Sequence, residues 1–174
     1  MAMASSTTPA TATRTRSSPL DLDLMKTVYS EAAYDKPQSG GSWSKMDDPT
    51  SLSGKVMEAN ASSPNGGTLF GPYITQELGG ASMLGKQYTA VFRLKVSSNL
   101  SSSNVVYIDV ACDFTSVLDW MQVKANGFAS SNAWQDFQLT FTVPSSVTSG
   151  LEFRVQNLNN GVTDVFLDQI QVKT

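Results

Sequence analysis

The chain has no histidine, a single cysteine and little charge of either sign. Without histidine it lacks the commonest general base and the commonest metal ligand. With only Cys112 besides, zinc and other transition-metal sites have almost nothing to be built from. A metal here would be a hard cation held by oxygen, such as calcium. One cysteine also means no internal disulfide, which fits the cytosol and equally a protein that folds there and works outside. Charged residues make up 16% and the net charge is -3, with no long basic run, so nucleic acid is excluded as the main partner. No apolar run reaches about 18 residues, so nothing reads as a membrane span. No nucleophile elbow or phosphate loop is present.

What is present suits a globular domain with a polar, weakly charged surface: 174 residues, 40% of them hydrophobic. The first twenty residues, MAMASSTTPATATRTRSSPL, are rich in Ser, Thr, Ala and Pro, carry Arg14 and Arg16, and lack the apolar core of a secretory signal. A disordered tail or cloning remnant, an arm that orders on a partner, and a transit-like leader all fit that composition. Leu20, Leu22 and Leu24 then alternate with Asp21 and Asp23 as in an amphipathic strand. The expected division is a tail or anchoring arm over residues 1–25 and a β-sandwich domain over 26–174.

The body alternates as strands do. Tyr88, Ala90, Phe92, Leu94 and Val96 share one phase; so do Val106, Ile108, Val110, Cys112 and Phe114. Phe137, Leu139, Phe141 and Val143 repeat the pattern, as do Leu151, Phe153 and Val155. Polar, turn-rich breaks such as NGFASSN and NLNNGVTD separate these runs, and no amphipathic helix stands out. The prediction is an all-β antiparallel sandwich or jelly roll with a Ser/Thr-rich N-terminal tail. In the last run Phe166, Ile170 and Val172 share a face by strict alternation, which places Asp168 among them. A buried carboxylate needs a partner.

The C-terminal third, WQDFQLTFTVPSSVTSGLEFRVQNLNNGVTDVFLDQI, resembles the end of calcium-containing jelly-roll carbohydrate-binding modules. YSEAAYD resembles their Glu-Ala-Glu opening, DDPTSLSGKVMEA their Asp…Ser-Gly-Gly-Lys segment, and GPYITQELGGASMLGKQYTAVFRLKV their Gly-x-Tyr…Arg strand. The pattern covers most of residues 28–174 without close identity. The resemblance implies a structural calcium held by Glu31 and Asp168, although Ala33 stands where the family has a second carboxylate. The plainer expectation is that Asp168 caps a loop or pairs with a Lys or Arg.

A sugar site asks for flat exposed aromatics beside hydrogen-bonding groups. Trp134, just ahead of a strand in SSNAWQ, suits stacking. The resemblance implies a stacking Trp near there and an Asn in the loop that holds Asn159 and Asn160. Tyr73, Trp43 and Trp120 are candidates for a second ring. Core packing is the ordinary use of a Trp at a strand start, and Asn-Asn-Gly is ordinary turn chemistry. Asp109, Asp113 and Asp119 cluster in sequence, but nothing points to a raised pKa, so they read as a solvated face or loop ion site and no enzyme is expected. The expected function is non-catalytic binding of a polysaccharide or cell-surface glycan, outside the cell. The alternative is a structural or decoration protein of an assembly such as a virion, anchored or oligomerised through residues 1–25.

Overall fold

The computed structural model describes residues 22–23, 43–52, 54–62, 68–74, 83–113, 115–158 and 161–173, with backbone alone for 22–23 and 68–74. They form ten strands: β1 (Leu22–Asp23), β2 (Trp43–Asp47), β3 (Lys55–Ala59), β4 (Thr68–Ile74), β5 (Gln87–Val96), β6 (Asn104–Cys112), β7 (Ser116–Lys124), β8 (Gln135–Thr142), β9 (Leu151–Asn157) and β10 (Val165–Lys173). A single 3-10 turn, Ala125–Gly127, is the only helix among the described residues longer than an isolated bend. The first sheet runs β2-β3-β10-β5-β8, with β1 also on β10. The second runs β4-β9-β6-β7, and every pairing is antiparallel. From β5 onward the chain changes sheet at each connection except the β6–β7 hairpin, so the two sheets face each other as a β-sandwich.

The alternating runs supply the interface between the sheets. Phe92, Leu94, Leu139 and Phe141 of the first sheet are buried, as are Ile108, Val110, Leu151 and Phe153 of the second. The Phe141 and Phe153 rings meet edge to face, 6.0 Å apart, across the layers. Cys112 is a buried core residue, as its run predicts. Leu22 and Asp23, inside the stretch expected to be an arm, pair with Val172 and Gln171 at the end of β10.

The last strand departs from strict alternation, and this corrects the expected facing of Phe166. Leu167 pairs with Leu94 and Gln169 with Arg93, so β10 carries one extra residue, Asp168, against β5. The bulge shifts the phase. Val165 and Leu167 face the core before it, Ile170 and Val172 after it, and Phe166 lies on the outer face opposite Lys95.

Candidate functional site

Asp168 is fully buried and has the partners a buried charge requires. Its Oδ2 accepts the Leu52 N–H at 2.9 Å and faces Arg93 Nε at 3.4 Å. Arg93 also donates to Asp136 Oδ1 at 3.1 Å. The carboxylate thus anchors the 48–52 loop onto the first sheet. Gly54 (φ +76°) closes that loop by accepting the Asp48 N–H, a backbone conformation that favours glycine. Glu31 lies outside the described residues, and no group of three or more Cys, Asp or Glu side chains could hold a metal among those described. A guanidinium beside Oδ2 opposes a second cation on that oxygen.

Trp134 belongs to the same outer corner. Its indole N–H donates to Thr50 Oγ1 at 3.1 Å, and Lys95 Nζ sits 4.6 Å from its ring centroid. Lys95 is also 4.7 Å from the Phe166 ring and forms a buried ion pair with Asp48. Burial alone would push the Asp48 carboxyl up, but hydrogen bonds from Lys95 and Thr50 outweigh it and hold it below its usual value. One face of the half-buried indole therefore covers an internal cation. Trp43 is a correction: it pairs with Ala59 on β2, faces the core and is 5% exposed, so it offers no ring to a ligand. Tyr73 pairs with Glu152 in register, with its side chain outside the described residues. Asn159 and Asn160 also lie outside them.

Trp120 stands apart from all of these. At 56% exposure it is the one exposed aromatic side chain among the described residues. It lies on the outer face of the second sheet and stacks on Tyr107, with centroids 5.8 Å apart and planes 22° apart. Gln122 and Gln156 flank Tyr107 in register, and the Asn104 amide donates to Gln122 Oε1 at 2.7 Å. In the next row Trp120 and Arg154 stand on either side of Asp109. Asp109 is therefore not on a solvated face. It is 1% exposed and accepts two hydrogen bonds from Arg154, at 2.7 and 2.5 Å. Arg154 Nη1 also lies 3.8 Å from Glu152 Oε2. Burial pushes the Glu152 carboxyl up, with Asp109 adding to the effect and Arg154 opposing it. Burial, aided by Asp109, likewise raises the Tyr107 hydroxyl.

The other two aspartates of the sequence cluster go elsewhere. Asp113, at φ +50°, accepts N–H groups of Thr148, Ser149 and Gly150, and the Ser149 N–H above all lowers its carboxyl to about 2. Asp119 accepts the N–H groups of Trp120 and Thr140, which links the edges of the two sheets. Tyr107, Gln122 and Arg154 were not foreseen as site residues. Tyr107 and Arg154 show only an outward phase in apolar strands, and SVLDWMQVK, which holds Gln122, has no clear strand alternation.

No family model and no curated protein matches the chain. Solved structures do. The second family 16 carbohydrate-binding module is 13% identical, with TM-score 0.54 over 79% of this chain and 89% of its own. The CBM22-2 xylan-binding domain of Paenibacillus barcinonensis Xyn10C is 10% identical, with TM-score 0.55 over 88% and 98%. The K3 cleaved adhesin domain of Lys-gingipain from Porphyromonas gingivalis W83 is 14% identical, with TM-score 0.53 over 90% and 100%. This chain has the antiparallel β-sandwich fold of carbohydrate-binding modules.

Proposed function

We propose that this domain is a non-catalytic glycan-binding module, working outside the cell, and that it holds its ligand on the outer face of the second sheet beside β7. The observation that carries the reading is the exposed Trp120 on Tyr107, bordered by the carboxamides of Gln122, Asn104 and Gln156. A pyranose has an apolar ring face and a rim of hydroxyls. An indole and a border of amides answer both. The fold shared with carbohydrate-binding modules supports the same class. Trp134, the first choice from sequence, has its N–H on Thr50 and Lys95 against its ring, which suits covering an ion pair better than stacking on sugar.

Asp109 and Glu152 share this face, yet they do not make a hydrolytic pair. Arg154 binds Asp109 through two nitrogens and lies near Glu152. A carboxylate engaged in that way is neither a free nucleophile nor a free base. The decoration-protein alternative rests on the arm at residues 1–25, of which only Leu22 and Asp23 lie among the described residues, and no observation favours it. Calcium remains a proposal, with Asp168 and Glu31 as ligands. Calorimetric melts in calcium and in chelator test it: a higher Tm in calcium, abolished by Asp168→Asn, supports it, and identical melts refute it.

Affinity electrophoresis through gels containing soluble xylan, β-glucan, mannan or arabinan tests the glycan reading. At least one polysaccharide should retard the protein. Unaltered mobility in all of them, with an empty glycan array, would overturn it.

A further inference from the structure

An exposed tryptophan on an edge strand normally samples several rotamers, and fixing it on a ligand then costs entropy. Trp120 is held at its ring and at its backbone. Its ring rests near-parallel on Tyr107 of the neighbouring strand. Its backbone N–H donates to Asp119 Oδ1 at 2.9 Å, while Asp119 Oδ2 accepts the Thr140 N–H at 3.1 Å from the other sheet. Two register shifts bracket the pair in the same hairpin. One adds Val105 on β6, between the Asn104–Lys124 and Val106–Val123 pairings. The other adds Leu118 on β7, between Val110–Asp119 and Ala111–Val117. Bulges re-aim side chains and raise local twist. The two bulged residues themselves turn to the core, Val105 within it and Leu118 against it, while Trp120 is left more than half exposed.

We propose that Tyr107 is a positioning residue whose ring holds the Trp120 indole in one orientation before any ligand arrives. The proposal rests on the glycan reading for the use of that orientation, but the orientation itself can be measured without ligand. Because the Tyr107 ring and not its hydroxyl does the holding, Tyr107→Phe keeps the function and Tyr107→Leu loses it.

The test uses the full chain, labelled with 15N at the indoles. The order parameter of the Trp120 indole N–H should approach the rigid value of about 0.85 in the wild type and in Tyr107→Phe, and fall below about 0.6 in Tyr107→Leu. Affinity for whichever of xylan, β-glucan, mannan or arabinan retards the wild type should fall about threefold to tenfold in Tyr107→Leu and less than about twofold in Tyr107→Phe. Combined with Trp120→Ala, Tyr107→Leu should add nothing, because the ring it positions is gone. An indole equally rigid in Tyr107→Leu would overturn the proposal. So would additive losses in the double variant, which would make Tyr107 an independent sugar contact. If no polysaccharide binds but the indole loosens as stated, the glycan reading falls and the positioning role stands.

Discussion

Replacing Arg154 with methionine removes a guanidinium and keeps most of the apolar stem. It leaves Asp109 and Glu152, 1% and 5% exposed, without the cation between them. Taking one partner from a buried ion pair costs about 3–5 kcal/mol, because the remaining charge is desolvated and uncompensated. The Arg154 side chain retains 17% exposure, so water can reach part of the vacated space and the lower end, about 3 kcal/mol, is expected. In a chain of this size that lowers Tm by about 6–12 °C. The loss should also depend on pH. Glu152 already has its carboxyl raised by burial, with Arg154 the group that opposes the rise. A carboxyl raised in the folded state destabilises it when ionised, and the penalty is relieved as pH falls through the folded value. The deficit of Arg154→Met should therefore narrow on acidification. Pairing it with Asp109→Leu should restore part of the stability. Urea denaturation at several pH values measures both effects. A loss below about 1 kcal/mol, or one independent of pH, would refute the claim that this pair is buried and mutually dependent.

Trp134→Ala should cost about 2 kcal/mol, since the half-buried indole covers the Lys95–Asp48 pair and binds Thr50, while polysaccharide affinity stays unchanged. Thermal melts and affinity gels on one preparation check both halves, and a weakened but normally stable protein would return the sugar site to Trp134. Asp113→Asn should lower stability at neutral pH. The folded carboxyl lies at about 2 against an ordinary 3.8, so its contribution is present above 3.8 and disappears as pH falls through about 2. Melts of wild type and variant should converge over that interval, and a constant offset would assign the effect to geometry instead of charge.

The sandwich was legible because alternation in β5, β6, β8 and β9 is a local property: each run states its own inward face, and the structure keeps it. Two things were not local. Asp168 is buried and partnered as its phase predicts, but the single-residue bulge that places it is invisible to period-two counting, and Arg93, the cation beside it, lies far away in sequence. Strand β7 is hard to read locally because its phase breaks at Leu118 and its edge position leaves Val117 and Trp120, on opposite phases, both exposed. Trp120 was a candidate from sequence, but only strand pairing brings Tyr107, Gln122 and Arg154 to it. Trp43 and Trp134 differ from Trp120 in burial, and nothing in their local sequence says so.

Glycan binding on the outer face of the second sheet is proposed to run through Trp120. Its most direct test is affinity electrophoresis of wild type, Trp120→Ala and Trp134→Ala side by side against the polysaccharide panel. Ring stacking contributes roughly 1–3 kcal/mol at comparable nucleic-acid base-stacking sites. Trp120→Ala should therefore lose about tenfold or more in affinity with an unchanged Tm, while Trp134→Ala migrates like wild type in the gel. Retardation of Trp120→Ala equal to that of the wild type would contradict glycan binding through Trp120.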